Sequence, residues 1–256
     1  MNLLIDAGNS RLKWAMTTTG GPASVWHASD GMTYDGDLTT ALSTSWGMLA
    51  RPRRVVIASV TAPSRTQEIM TWVERHWQLS VHEVKAQAAL LGIKNGYTDP
   101  TQLGSDRWAA LIGARHLVSG ATCVIDCGTA LTIDALAASG EFLGGIIFPG
   151  LRSAQRCLEE RAYGVGRIED SAMSVKLDKN YIGRSTAEGV AAGAFLGLLG
   201  AIERTIQEYQ IVLGQDMKIL LTGGDAAVLM PSLRYPVMLA PDLTLQGLAQ
   251  IAEQLP

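Results

Sequence analysis

With 256 residues, 47% of them hydrophobic and 18% charged, the chain can bury a sizeable core, as one large domain or two halves of about 120 residues, and is not a disordered polypeptide. A net charge of −3, a pI near 5.8 and the lack of any basic block give no reason to expect nucleic acid as a partner. Three cysteines, an odd number, argue against a disulfide framework and for a reducing compartment. The chain opens directly on a strand with no basic leader, so no targeting segment and a cytoplasmic location are expected. Its most apolar stretch, residues 190–202, carries Gly193, Gly197 and Gly200 and is 13 residues long. A bilayer span needs about 20, so no membrane is expected, and a helix packed closely on another helix or a subunit is the better reading.

Strands are predicted at 3–6, 11–17 and 24–28, broken by Gly8-Asn9 and Gly20-Gly21-Pro22. The apolar run 55–60 suits an internal strand covered on both faces. Residues 61–77 follow as a helix with Pro63 near its start, then a short strand at 81–84, giving β-β-β-α-β-α-β. The irregular stretch 86–104 holds Gly92, Gly96, Pro100 and Gly104, and a loop of that length is usually functional. A helix from Ser105 to residue 117 leads to strands at 123–126, 130–135 and 141–148. Pro149-Gly150 opens a helix at 151–161, and 162–181 is again irregular. The longest helix covers 186–209; a strand at 218–221, a helix from Asp225, a short strand at 235–239 and a helix at 243–254 close the chain. The second half thus repeats β-β-β-α-…-α-β-α, and the halves are set at 1–117 and 118–256 with no flexible tether.

The segment L-L-I-D-A-G-N-S-R-L-K-W at 3–14 returns in altered form as V-I-D-C-G-T-A-L-T-I-D-A-L at 124–136, with Asp6 and Asp126 120 residues apart. Each copy is an apolar strand running into Asp-x-Gly and then a second strand. Glycine at the bend exposes backbone N–H groups that can hold phosphate oxygens, and the neighbouring Asp can hold a cation or its water shell. I-L-L-T-G-G-D-A at 219–226 adds a strand, a glycine pair and a helix start. Gly104-Ser105-Asp106-Arg107 opens a helix, whose N-terminus favours anions, and Arg107 offers a forked donor. Asp106 is either a plain capping carboxylate or a general base that takes a proton from a substrate hydroxyl. Lys13 is either a solvated lysine or a phosphate contact, and Gly144-Gly145 and Pro149-Gly150 are either turns or points of close ligand approach. His27, His76, His82 and His116 lack the spacing of a metal site, Cys127 suits a small buried filler, and Trp108 suits the core.

Strand-Asp-Gly, strand-Asp-Gly-Thr and strand-Gly-Gly, in that order, resemble the actin, hexokinase and Hsp70 nucleotide-binding superfamily. The ordered set D-A-G-N-S-x-L-K at 6–13, G-S-D-R at 104–107, D-C-G-T-A-L-T-I-D at 126–134, G-G-I-I-F-P-G at 144–150 and T-G-G-D at 222–225 resembles the type III pantothenate kinases. The resemblance implies an α/β fold of two duplicated ribonuclease H-like halves with mixed sheets flanking a nucleotide cleft. It implies ATP-dependent phosphorylation of the pantothenate 4′-hydroxyl, the first step of coenzyme A synthesis, by a homodimer using Mg²⁺ and K⁺ or NH₄⁺. Carried over by position, Asp6, Ala7, Gly8, Asn9, Ser10, Arg11, Leu12 and Lys13 would form the first phosphate loop, with Asp6 near the Mg-ATP phosphates. Thr129 would contact ATP from the second loop, Asp126 would hold potassium, and the C-terminal half would also carry the adenosine motif. Asp106 would be the catalytic base, and Gly104, Ser105, Asp106, Arg107, Tyr97 and Thr186 would bind pantothenate. Ser10 stands where Thr is usual, keeping the hydroxyl, and Ser185 where Asn is common. A kinase of the same superfamily for another small molecule and a non-catalytic nucleotide-binding regulator are the alternatives.

Overall fold

The apolar runs L-L-I-D-A and L-K-W-A-M-T build an antiparallel pair, β1 (Asn2–Ala7) and β2 (Arg11–Thr17), closed by the turn at Gly8. In this computed structural model residues 1–18, 26–162, 164–165 and 181–255 are described. Contacts divide the chain into two units. The first comprises Met1–Ser119, Gly140–Phe142 and Asp242–Pro256; the second comprises Gly120–Ser139 and Leu143–Pro241.

In the first unit β3 (Ala28–Thr33) pairs antiparallel with β2, while β4 (Arg54–Ser59) and β5 (Val81–Glu83) extend the sheet in parallel, in the order β3-β2-β1-β4-β5. Leu3, Ile5 and Ala7 share one face of β1. They pack with Leu38, Leu42 and Trp46 of α1 (Leu38–Trp46) and with Ile69, Trp72, Val73 and Trp77 of α2 (Pro63–Trp77). Trp46 is the hub, edge-on to Trp72 at 5.5 Å and stacked on Trp77 at 6.2 Å between ring centroids. β6 (Ala89–Leu90) and β7 (Ile93–Asn95) form a small hairpin, and α3 (Ser105–Leu117) follows it.

The second unit begins with β8 (Thr122–Cys127) and β9 (Ala130–Leu136), again an antiparallel hairpin. β10 (Glu141–Pro149) follows, and its first residues, Glu141 and Phe142, pair with β7 in the first unit's part of the chain. α4 (Leu151–Arg161) and the 28-residue α5 (Thr186–Leu213) lead to β11 (Lys218–Thr222), parallel to β8. A single turn, α6 (Ala226–Leu229), and β12 (Met238–Leu239) precede α7 (Leu243–Gln254). Leu198, Leu199, Ile202 and Ile206 of α5 pack on Ile125, Leu131 and Ile133 of the hairpin. α5 is long and apolar enough to cross a bilayer, yet half of its most apolar window is buried inside the fold, as a core helix would be.

The duplication is visible residue by residue. β1 and β8 share one burial pattern, and so do β2 and β9, with only the Asp of each first strand half-buried in an otherwise closed strand. Each unit is thus a mixed α/β sheet started by a hairpin, the duplicated ribonuclease H-like arrangement expected.

Several boundaries depart from expectation. The third strand is Ala28–Thr33 and not 24–28, because an exposed edge strand of sequence A-S-D-G-M-T carries no apolar alternation; residues 24 and 25, like the Gly20-Gly21-Pro22 break, lie outside the described residues. The stretch 86–104 contains the β6–β7 hairpin, whose turn places Leu91 and Gly92 at positive φ. α5 runs four residues past 209, to Leu213, where Gly214 at φ 94° ends it. The strand expected at 235–239 is reduced to two residues, and most of the irregular stretch 162–181 lies outside the described residues. The last helix, which the sequence assigned to the second half, belongs to the first unit. α7 packs on α3, β1, β2 and β4, and Gly247 lets it approach the backbone of Ala109.

Candidate active site

The first hairpin sets Asp6 opposite Lys13 and Ala7 opposite Leu12, leaving Gly8, Asn9, Ser10 and Arg11 to turn. The Gly8 N–H donates to Arg11 O at 3.1 Å, which closes the turn with Asn9 and Ser10 exposed at its tip. β4 runs alongside β1, and the Val60 N–H donates to Ala7 O at 3.0 Å, so the chain leaving β4 passes beside this tip.

Asp106 lies in the first turn of α3, whose start is fastened to the end of β4. Ser105 Oγ donates to Ser59 O and accepts from the Ser59 N–H, both at 3.0 Å. Asp106 Oδ1 accepts from the Arg107 N–H at 2.7 Å, which orients the carboxylate. A Cβ on Gly104 would stand 2.6 Å from that oxygen, so glycine is the residue that leaves the carboxylate its room. Burial pushes the Asp106 carboxyl above the usual carboxylate range, against the opposing pull of the Arg107 N–H and guanidinium. A carboxylate shifted in that direction is a better proton acceptor than an exposed one.

Arg107 is buried, and its Nη1 donates to Tyr97 Oη at 3.1 Å. Its guanidinium lies 5.8 Å from the ring centroids of both Tyr97 and Phe142. Tyr97 is itself anchored through its N–H to Asn95 Oδ1 at 3.0 Å, and Asn95 Nδ2 donates to Pro100 O at 3.1 Å. Tyr97, Gly104, Ser105, Asp106 and Arg107, spread over loop and helix in the sequence, are therefore one local constellation of the first unit.

In the second unit the hairpin pairs Asp126 with Thr132 and Cys127 with Leu131 across a turn at Gly128-Thr129. Thr129 O accepts from the Gly150 N–H at 3.0 Å and from Ser153 Oγ at 2.6 Å, which fixes the start of α4 against this turn. Gly223 has φ +94°, and a Cβ there would overlap Asp126 Oδ1 and the Cys127 backbone. Glycine thus lets T-G-G-D approach the loop, and the Asp225 N–H donates to Cys127 O at 2.9 Å. Burial raises the Asp225 carboxyl, with Arg152 opposing. The Cys127 thiol is pushed up to about 12 by burial and then by Asp126 and Asp225, which makes it an inert filler at neutral pH. Among the described residues no three or more His, Cys, Asp or Glu gather in a way that could hold a metal ion. Thr186 is exposed at the first position of α5, where Ser185 Oγ caps the helix by accepting from the Glu188 N–H at 3.2 Å.

The family model for type III pantothenate kinase matches residues 2–208. The chain belongs to that family. Curated type III pantothenate kinases are similar along almost the whole length. The relative from Nitrosococcus oceani is 34% identical over 99% of this chain and 94% of its own, and that from Halorhodospira halophila is 38% identical over 97% and 96%. Among solved structures, the activator of 2-hydroxyisocaproyl-CoA dehydratase from Clostridium difficile, with bound ADPNP, superposes with a TM-score of 0.55 at 14% identity over 98% of this chain and 94% of that one. A Sinorhizobium meliloti protein named for 2-dehydro-3-deoxygalactonokinase gives 0.58 at 15% identity over 98% and 96%. These two likenesses show the shared fold. The matched span of this pantothenate kinase family contains every candidate position from Asp6 to Thr186. Sequence reasoning passed over Arg152, Ser153 and Asp225 at the second loop and Arg65 and Tyr34 at the first. Only Asp225 stood in a motif; the others come to the loops through the fold.

Proposed function

We propose that this chain transfers the γ-phosphoryl group of ATP to the 4′-hydroxyl of pantothenate, yielding 4′-phosphopantothenate and ADP as the first step of coenzyme A synthesis. The observation that carries this reading is the family match over residues 2–208, within which all the candidate site residues fall. Phosphoryl transfer is mainly a matter of positioning and charge stabilisation. Asp106 accepts the hydroxyl proton while the pantothenate oxygen bonds to the γ-phosphorus and the bond to the β-phosphate oxygen breaks. Arg107, steadied by Tyr97, suits the pantothenate carboxylate, with Gly104, Ser105 and Thr186 completing the contacts. Asp6, Ala7, Gly8, Asn9, Ser10, Arg11, Leu12 and Lys13, together with Thr129, bind the ATP phosphates through turn N–H groups and side chains.

Mg²⁺ is commonly held by one or two carboxylates together with substrate phosphates, which the half-buried Asp6 beside a phosphate loop fits. It supplies charge neutralisation at the phosphates. Asp126 holds the monovalent cation, K⁺ or NH₄⁺. We place the enzyme in the cytoplasm as a homodimer, without nucleic acid or membrane. The dimer reading is supported by α5, where a Cβ on Gly189, Gly193 or Gly197 would meet no atom within 4 Å among the described residues and Leu196 is 45% exposed; a monomer in sedimentation at working concentration would refute it. The function is tested by ADP release in the presence of ATP, Mg²⁺ and K⁺. Release that rises with pantothenate and not with a sugar or acetate supports it, and release that stays at the rate without acceptor overturns it.

A further inference from the structure

The turn of the first hairpin is held from outside by a residue that no motif contains. Arg65, near the start of α2, donates from Nη1 to Asn9 O at 3.3 Å. Its guanidinium lies over the Tyr34 ring, 4.4 Å from the centroid, and Thr61 Oγ1 is 3.5 Å from the same nitrogen. Tyr34 is part-buried, and burial raises its phenol; Thr61 and Arg65 pull the other way, and Asp6 adds to the rise. Asp6, Asn9, Tyr34, Thr61 and Arg65 are thus one electrostatic neighbourhood within the first unit.

We propose that Arg65 is a positioning residue for nucleotide binding: by holding the Asn9 carbonyl from α2 it fixes the tip of the first hairpin's turn in the conformation that receives the ATP phosphates. The inference rests on the reading that residues 6–13 are a phosphate loop. A trans peptide is planar, and no peptide among the described residues is cis, so a bond to the Asn9 oxygen fixes the plane of the whole Asn9–Ser10 peptide at the tip of the turn. The stacked Tyr34 ring restricts the guanidinium to one orientation, so little rotamer freedom is lost when phosphate arrives. The retained positive charge also offsets part of the negative charge that Asp6 places beside a polyanionic ligand.

The test is MgATP binding by calorimetry without pantothenate, alongside steady-state kinetics and melting temperature, for wild type, Arg65→Met, Arg65→Lys and Tyr34→Leu. Met keeps the aliphatic stem but removes charge and donors. Its Kd and KM for ATP should rise by about tenfold, the scale of one charged hydrogen bond, with the pantothenate KM and melting temperature little changed. Lys, which keeps a charge and a donor, should recover most of the loss. Tyr34→Leu should move ATP binding in the same direction by less, and the double change with Arg65→Met should be less than additive. Arg65→Met with wild-type ATP affinity overturns the inference, as does a variant whose ATP and pantothenate constants shift together with its melting temperature. A wild-type protein that binds no MgATP also overturns it. One that binds MgATP but leaves pantothenate unphosphorylated overturns the substrate reading alone.

Discussion

Replacing Asp106 by Asn separates the base from the helix cap. The Asn amide oxygen can still accept the Arg107 N–H that Asp106 Oδ1 accepts at 2.7 Å, and Asn caps helices about as well as Asp, so the start of α3 should hold. What is lost is the proton acceptor. General-base catalysis is worth about 10²–10⁴-fold, so kcat should fall by that range, equivalent to roughly 2.7–5.4 kcal/mol at 1.36 kcal/mol per tenfold. Stability should move the other way. Because burial raises the folded-state pKa of Asp106, folding binds protons here, and the group's contribution is present at acid pH and lost as pH rises through that raised pKa. At neutral pH the variant, freed of a partly desolvated charge, should melt at or above the wild-type temperature, and the advantage should vanish below the ordinary carboxylate pKa. For the wild type, kcat/KM should decline on the acid side at a pH above the usual carboxylate range. The assays are kcat under saturating ATP and pantothenate, and melting curves at neutral and acid pH. A variant with kcat within about threefold of wild type would refute the base assignment and leave Asp106 a replaceable carboxylate in the first turn of the helix.

Tyr97→Phe removes the oxygen that accepts from Arg107 Nη1 at 3.1 Å and leaves a buried guanidinium donor without that partner. An unsatisfied buried donor costs about 1–3 kcal/mol, so the pantothenate KM should rise by about tenfold with the ATP KM unchanged; equal shifts in both would count against this pairing. Gly223→Ala puts a Cβ at φ +94° where Asp126 Oδ1 and the Cys127 backbone already lie. The strain of about 1–2 kcal/mol plus the overlap should lower the melting temperature by several degrees and weaken ATP binding, and a wild-type melting curve would contradict the close approach. Activity should rise in K⁺ or NH₄⁺ and stay low in Na⁺, and Asp126→Asn should abolish that difference; equal rates of the wild type in all three salts would remove the cation from Asp126.

The parts legible in the sequence are those that local chemistry fixes. Asp-x-Gly after an apolar run specified both hairpins, and the helix starts at Ser105 and Leu151 followed from the Gly104 and Pro149-Gly150 signals. The apolar run at 55–60 announced β4 because a strand covered on both faces needs no polar alternation. β3 was misplaced because an edge strand exposes its residues, and the β6–β7 hairpin was hidden because Leu91 is an unusual residue at positive φ. The first-unit location of α7 depends on its packing against α3, and the Arg65–Asn9 bond joins positions 56 apart, a separation no pattern along the chain can signal. Tyr97 and Arg107 were both named from the family resemblance, but their direct bond was not, since it depends on how the loop at 93–104 returns to α3.

Direct identification of the product tests the central claim. The purified protein, given ATP, Mg²⁺, K⁺ and pantothenate, should convert pantothenate into a species one phosphate heavier by mass spectrometry, with phosphorus bonded at the 4′-oxygen by NMR and one ADP formed per product. Asp106→Asn run in parallel should yield the same species at least about a hundredfold more slowly. Unchanged pantothenate under conditions in which the wild-type protein binds MgATP, or a phosphate carried on the carboxylate, would contradict the account.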